Sequence, residues 1–247
     1  MFRQDQWLHS CRPLTGAGWR HGWSDGGGPD FKSDPAGPAH ARAMTELCRR
    51  AGLAEAAWCR QVHGGLVLKA RGPGLAGEAD ALWTDRPGLG VTGRSADCPL
   101  ILLAGRREDG GRLAGFAHAS WRSTVRGITA SLAEALLLAG ALPGSLEAVV
   151  CPSAGPCCYE VGGEVRQEAL ARLGAGAADF FRPRKEKHML DLWAANRRQL
   201  QTAGVGQDRI HLSGRCTICG APDGDLRFAS YRRQGRQAGR FAAVIGF

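Results

Sequence analysis

The sequence has no His-x-His step among its 7 histidines, and its only 3 methionines are Met1, Met44 and Met189. A trinuclear copper cluster is fed by paired His-x-His motifs, and a blue-copper centre uses a weak axial Met. Neither signature is here. No window approaches the length of a membrane span. The opening stretch MFRQDQWLHSCRPLTG carries charges and no apolar core, so no secretory leader is expected. The net charge is +9, from 32 Lys plus Arg against 23 Asp plus Glu. No basic run is long or interleaved with aromatics, so the excess reads as an Arg-rich solvated surface and no nucleic-acid partner is expected. Internal repeats and linkers are absent as well. These absences predict a cytoplasmic protein with no membrane partner and with reduced thiols.

What is present suits one catalytic domain over residues 1–247, with 44% hydrophobic and 22% charged residues. Residues 20–40 read as a Gly/Pro-rich loop, densest in SDGGGPDFKSDPAGPAH (24–40). Helical spacing follows in ARAMTELCRRAGL (41–53), with Met44, Leu47 and Cys48 on one face. Short apolar runs predict strands at Val67–Leu68, Leu100–Leu103, RLAGFAHAS, LEAVVCPS, DRIHLSG and RFAAVIGF. STVRGITASLAEALLLAGAL reads as one helix with Ser123 as N-cap, and VGGEVRQEALARLG and LDLWAANRRQLQTAG as two more. The mixture predicts an α+β (mixed α/β) domain, with a mixed β-sheet flanked by helices.

Three possible metal ligands stand at predicted strand ends: His63 in RQVHGG, Cys98 in SADCP and His118 in FAHASW. Two His and one Cys, with a fourth position for water, is a known catalytic zinc pattern. Spacing alone enforces no convergence, and by itself favours two satisfied histidines and a buried thiol. Among the 9 cysteines, CTIC (216–219) has C-x-x-C spacing with no second such motif, which leaves a redox pair or an inert turn. Vicinal Cys157 and Cys158 in GPCCYE precede a predicted helix, whose N-terminus would lower a thiol pKa; tight packing in a turn is the alternative. Arg122, in WRSTVRG, stands at a helix start that suits an anion such as phosphate. Tyr231, Arg232 and Arg233 in SYRRQGRQAGRF offer a second phosphate or base contact, or a solvated hairpin.

Six stretches occur in order: RQVHG, EADALWTDRPGLGVTGRSADC, FAHASWRST, GPCCYEVGGEV, LDLWAANRRQL and CTIC…FASYRRQGRQAGR. Together, from about residue 20 to the C-terminus, they resemble the YfiH-type family. Its members bear the description multicopper polyphenol oxidoreductase of laccase type and are assigned as zinc-dependent purine nucleoside phosphorylases with adenosine deaminase activity. The resemblance implies a YfiH-like fold and a metal site at His63, Cys98 and His118. It implies Zn2+, with Cu as the alternative, and a purine nucleoside and phosphate as substrates: adenosine, inosine or methylthioadenosine cleaved to base and ribose 1-phosphate.

Within that implication Cys98, His118 and Asp97 are the candidate catalytic residues, Asp97 as the nearest acid/base. Arg122, Tyr231, Arg232 and Arg233 are the candidate substrate contacts. The sequence departs from the family where Ser120 and Ser123 replace expected glycines and where Gly26 replaces an Arg. The two serines are expected to narrow the pocket. Three rival functions stay open: a copper polyphenol oxidase, a metal-free cysteine hydrolase with a Cys98–His118 dyad, and a non-catalytic basic binding protein.

Overall fold

The computed structural model describes residues 1–247. The short apolar runs assemble into two mixed sheets and a small third one. Seven strands form the first, in the order Phe2–Asp5, Leu8–Cys11, Arg20–Ser24, Phe241–Gly246, Leu89–Ser95, Glu55–Arg60, Gly74–Glu78. Six form the second: Ile210–Leu212, Glu147–Val150, Leu100–Arg106, Arg112–His118, Ala81–Thr84, Val67–Lys69. Glu160–Val161, Lys187–Leu190 and Phe181–Arg184 make the third.

The two large sheets lie face to face because their central strands are apolar on both sides. Leu100–Arg106 is buried at six consecutive positions. Its Leu100, Leu102 and Ala104 join Leu89, Val91, Ala243 and Phe116 in the core between the sheets. Its Ile101 and Leu103 point the other way, onto Ile128, Leu132, Leu136 and Leu200 of the covering helices. The outer face of the seven-stranded sheet is covered by Met44, Leu47 and Cys48 of helix Pro38–Arg50, packed on Ala56, Trp58 and Val244. Each buried Met or Leu there contributes about 1.5–3 kcal/mol. The layers therefore run helix, sheet, sheet, helix. The expected mixed sheet flanked by helices is present, but doubled. At one point the sheets nearly touch: a Cβ on Gly93 would lie 2.3 Å from the Phe116 ring, so only glycine admits that ring.

Four local expectations need correction. Arg20–Ser24 is a strand and Pro38 opens a helix at Pro38–Arg50, so the Gly/Pro-rich loop is confined to 25–37. Pro belongs at that first turn because its missing N–H is not needed there. The single helix expected after His118 is two, Trp121–Val125 and Ile128–Leu138, separated by Gly127 in the left-handed region at φ 76. The N-cap is Ser120, not Ser123: Ser120 Oγ accepts the Ser123 N–H at 3.1 Å. The solvated hairpin considered for 230–241 is instead a short helix, Tyr231–Gln234, followed by the last strand.

Candidate active site

Strand polarity brings the predicted residues to one end of the sandwich. Glu55–Arg60 runs parallel to Leu89–Ser95, and Phe241 pairs with Ser95, so Gln61–His63, Ser95 and Arg240 share an edge. His118 pairs with Leu100, which places it at the matching edge of the second sheet. Cys98 lies on the crossover from one sheet to the other, between Ser95 and Leu100. His63, Cys98 and His118 thus meet at a pocket of about 430 Å³ that also takes in Asp97, Arg122 and Tyr231. That volume suits a small-molecule ligand.

Asp80, a residue the sequence reading did not single out, organises this floor. It is fully buried, where a lone carboxylate would cost several kcal/mol. Four hydrogen bonds offset that cost. His118 Nδ1 meets Asp80 Oδ1 at 2.8 Å, and the backbone N–H groups of Val62, His63 and Gly64 donate to the same carboxylate at 3.2, 3.1 and 2.6 Å. One carboxylate so fixes both the His118 ring and the turn carrying His63. With Nδ1 committed, Nε2 of His118 is free for the pocket, as in carboxylate–histidine–metal arrangements. Burial works to raise the Asp80 carboxyl, but the bond and charge of His118 and the backbone donors outweigh it and hold it below its ordinary value.

Burial works to lower the His118 imidazole, yet the charge of Cys98 and the Asp80 contact lift it to about 9. His63 moves the other way, lowered by burial and by the nearby His118. The two rings are 5.1 Å apart, centre to centre. His63 and Asp97 are both held at positive φ, 57° and 96°. Left-handed backbone in non-glycine residues costs about 1–3 kcal/mol and clusters at functional sites.

Around this floor the pocket is cationic, with Arg94, Arg122, Arg232 and Arg240 in its wall. Arg94 is tied to the Phe31 and Ser33 carbonyls, and Arg240 to those of Ala238 and Gly239. Arg232 donates to the Glu160 carbonyl at 2.8 Å and covers the Tyr159 ring at 4.7 Å. Arg122 stacks on Trp121 at 4.4 Å and has no carboxylate partner. Its helix is only 5 residues long, so its suitability for an anion rests on the guanidinium rather than on a helix dipole. Tyr231 stands half exposed at the rim.

Asp97 faces the pocket with both oxygens engaged: Thr217 donates its hydroxyl at 2.7 Å and Arg232 its backbone N–H at 2.7 Å. Arg233 is not brought to the pocket; its guanidinium serves the carbonyls of Thr217, Leu226 and Phe228. Of the two serines, Ser120 lines the pocket while Ser123 is fully buried against the Ser120 hydroxyl at 2.8 Å. Only Ser120 takes pocket space. Gly26 sits on a separate surface, its N–H donating to the Arg227 carbonyl at 2.8 Å.

Residues 34–247 match the model of a family described as multi-copper polyphenol oxidoreductase laccase. The chain belongs to this family. A protein of Deinococcus radiodurans named purine nucleoside phosphorylase is 36% identical over 217 residues, covering 88% of this chain and 80% of that one. A second, named adenosine deaminase RL5, from an unknown prokaryotic organism, is 34% identical over 163 residues, 65% of this chain and 59% of that protein. The crystal structure of the Bacillus licheniformis protein YfiH covers 100% of this chain and 98% of its own, with a TM-score of 0.84 at 23% identity. The YfiH-type fold is therefore established for this laccase-type family member. The word multi-copper in the family's description fits the donors poorly. None of the three methionines lines the pocket, and the histidines that do come from separate elements, His63 from the turn after Glu55–Arg60 and His118 from the end of strand Arg112–His118.

Proposed function

We propose that the chain is a zinc-dependent purine nucleoside phosphorylase with adenosine deaminase activity. The observation that carries this reading is the Asp80-anchored His118 beside His63 and Cys98, on the floor of a pocket whose Arg122 is unpaired. The donor set, two imidazoles and one thiol with a carboxylate behind one imidazole, fits zinc. His63, Cys98 and His118 are its proposed ligands, and zinc bound there supplies Lewis acidity. Arg122 takes the phosphate, as the one guanidinium in the wall not spent on the protein itself. The aromatic faces of Trp121 and Tyr159, each backed by a guanidinium, flank the purine, with Tyr231 and Arg232 closing the rim. Asp97 holds Thr217 and Arg232 in place, and any proton it exchanges with substrate comes at the expense of one of those bonds. The proposed setting is the cytoplasm, where thiolate ligands stay reduced; no helix is long and apolar enough to cross a membrane.

A second reading has geometric support. Cys98, His118 and Asp80 stand in the order nucleophile, base, orienter of a metal-free cysteine hydrolase. It leaves His63 without a part. One experiment separates the two. Protein purified without added metal is analysed for zinc and copper, then incubated with adenosine, inosine, guanosine and methylthioadenosine, with and without phosphate. The proposal expects zinc, phosphate-dependent release of free base and ribose 1-phosphate, and loss of both zinc at the pocket and turnover in Cys98→Ala. Turnover without metal supports the hydrolase. No conversion of any nucleoside overturns the phosphorylase.

A further inference from the structure

The chain holds a second donor cluster that the pocket does not use. Cys157 and Cys158 lie in the turn after Gly155, and Cys216 and Cys219 in a turn some sixty residues later, yet their four sulfurs all lie within 4.8 Å of one another. No other group of His, Cys or carboxylate donors is gathered so tightly. Cys157 Sγ and Cys219 Sγ are 3.6 Å apart. A tetrahedral zinc with Zn–S bonds of about 2.3 Å sets its sulfurs about 3.8 Å apart. Four thiols of one kind in that arrangement select zinc over harder cations.

The surroundings are built for it. Cys216 is buried and its sulfur accepts the Gly155 N–H at 3.3 Å, an outer-shell bond of the kind that steadies a metal thiolate. Ser153 and Cys216 form a parallel bridge, with the Thr217 N–H donating to the Ser153 carbonyl at 3.0 Å and the Ser153 N–H to the Arg215 carbonyl at 3.1 Å. Gly220, at φ 73, closes the second turn so tightly that a Cβ would lie 2.5 Å from the Gly224 backbone. Cys11, Cys48, Cys59 and Cys151 are each buried in apolar core, unlike these four.

We propose that Cys157, Cys158, Cys216 and Cys219 form a structural zinc site that clamps the two turns together. The clamp reaches the pocket through its own spacer. Thr217, between the two cysteines of the second turn, gives its hydroxyl to Asp97 and its carbonyl to Arg233, and Tyr159 follows Cys158 directly. The site thus fixes one wall of the pocket and takes no part in the reaction, so it stands whatever that reaction is.

The test counts metal in the full chain purified under reducing conditions. Wild type is expected to hold about two zinc ions per chain, and both the His63→Ala/His118→Ala and the Cys216→Ser/Cys219→Ser variants about one each. Cobalt loaded into the histidine variant is expected to show thiolate-to-metal charge-transfer absorption. Where the cysteine variant fails to fold, chelation of the folded histidine variant is read with a thiol reagent, and the four cysteines become reactive as metal leaves. A folded histidine variant that takes up neither zinc nor cobalt overturns the site. Iron in place of zinc, or a Cys157–Cys219 disulfide persisting under reduction, does the same.

Discussion

The His63–Cys98–His118 set is gathered from strand ends around an open pocket, whereas the four-cysteine cluster is closed between two turns with donors of a single kind. The first depends on a carboxylate behind one of its rings and leaves room for a further group. The second has four thiols and needs none. Zinc sites that catalyse keep an open position, and sites that hold a fold fill all four. The two regions therefore differ in what they demand of the rest of the chain. The pocket set needs two sheets in correct relative position and two strained residues. The cluster needs only a short parallel bridge and tight glycines.

That contrast breaks most visibly at Asp80. Asp80→Asn keeps the shape but presents an amide N–H₂ to donors that now have too few acceptors. Pocket zinc affinity is expected to fall about 10–100-fold, with zinc at the cysteine cluster unchanged, as read by competition with a chromophoric chelator. Loss from both sites together would mean that Asp80 holds the whole end of the sandwich and not the pocket alone.

A second effect, confined to the phosphate, belongs to Arg122. Arg122→Ala removes a charged donor worth about 1.5–3 kcal/mol to a bound anion. The phosphate concentration for half-maximal phosphorolysis is expected to rise about tenfold or more, with both zinc contents unchanged. An unaltered phosphate dependence removes Arg122 from that role.

A third test calibrates the other two with a histidine that neither region uses. His21 is buried, accepts the Cys11 N–H at 2.9 Å and faces the Trp19 carbonyl. Burial lowers its pKa from the ordinary 6.5 to about 4. Between those values the unfolded chain binds the proton and the folded chain does not, so stability rises with pH there. His21 therefore contributes its full share above pH 6.5 and loses it, up to about 3 kcal/mol, as pH falls toward 4. Urea melts of His21→Gln are expected to weaken less steeply than wild type across that window, where His40, also lowered to about 4 by burial, still titrates. Matching slopes would show that the acid sensitivity lies elsewhere.

Much of this was legible in the residues. The strand ends at His63, Cys98 and His118 were readable because apolar runs stop there, and the family motifs coincide with them. The doubling of the sheet was not, since a run such as Leu100–Leu103 reads the same whether one face or both meet another sheet. Asp80 escaped notice because an acid at a strand start is common, and only the fold shows three N–H groups of a distant turn converging on it. CTIC looked incomplete for want of a second C-x-x-C. Its complement is the vicinal pair Cys157–Cys158, joined to it by the bridge at Ser153, and no local spacing encodes a tertiary bridge. Ser123 reads as an N-cap because its hydroxyl precedes an apolar stripe; the cap falls instead to Ser120, whose Oγ accepts the Ser123 N–H.

The Phe116 ring seated against Gly93 bears on more than packing. Phe116 is two residues from His118 on one sheet, and Gly93 is two residues from Ser95 on the other, where the chain crosses toward Cys98. The ring works as a detent. A slide of one sheet over the other must first lift it from its seat, so the separation between His63 and His118 is indexed by a hydrocarbon contact as well as by the Asp80 carboxylate. An ion held by both histidines would be gripped by two sheets at once, and its binding energy would oppose their slippage as directly as it held the ion.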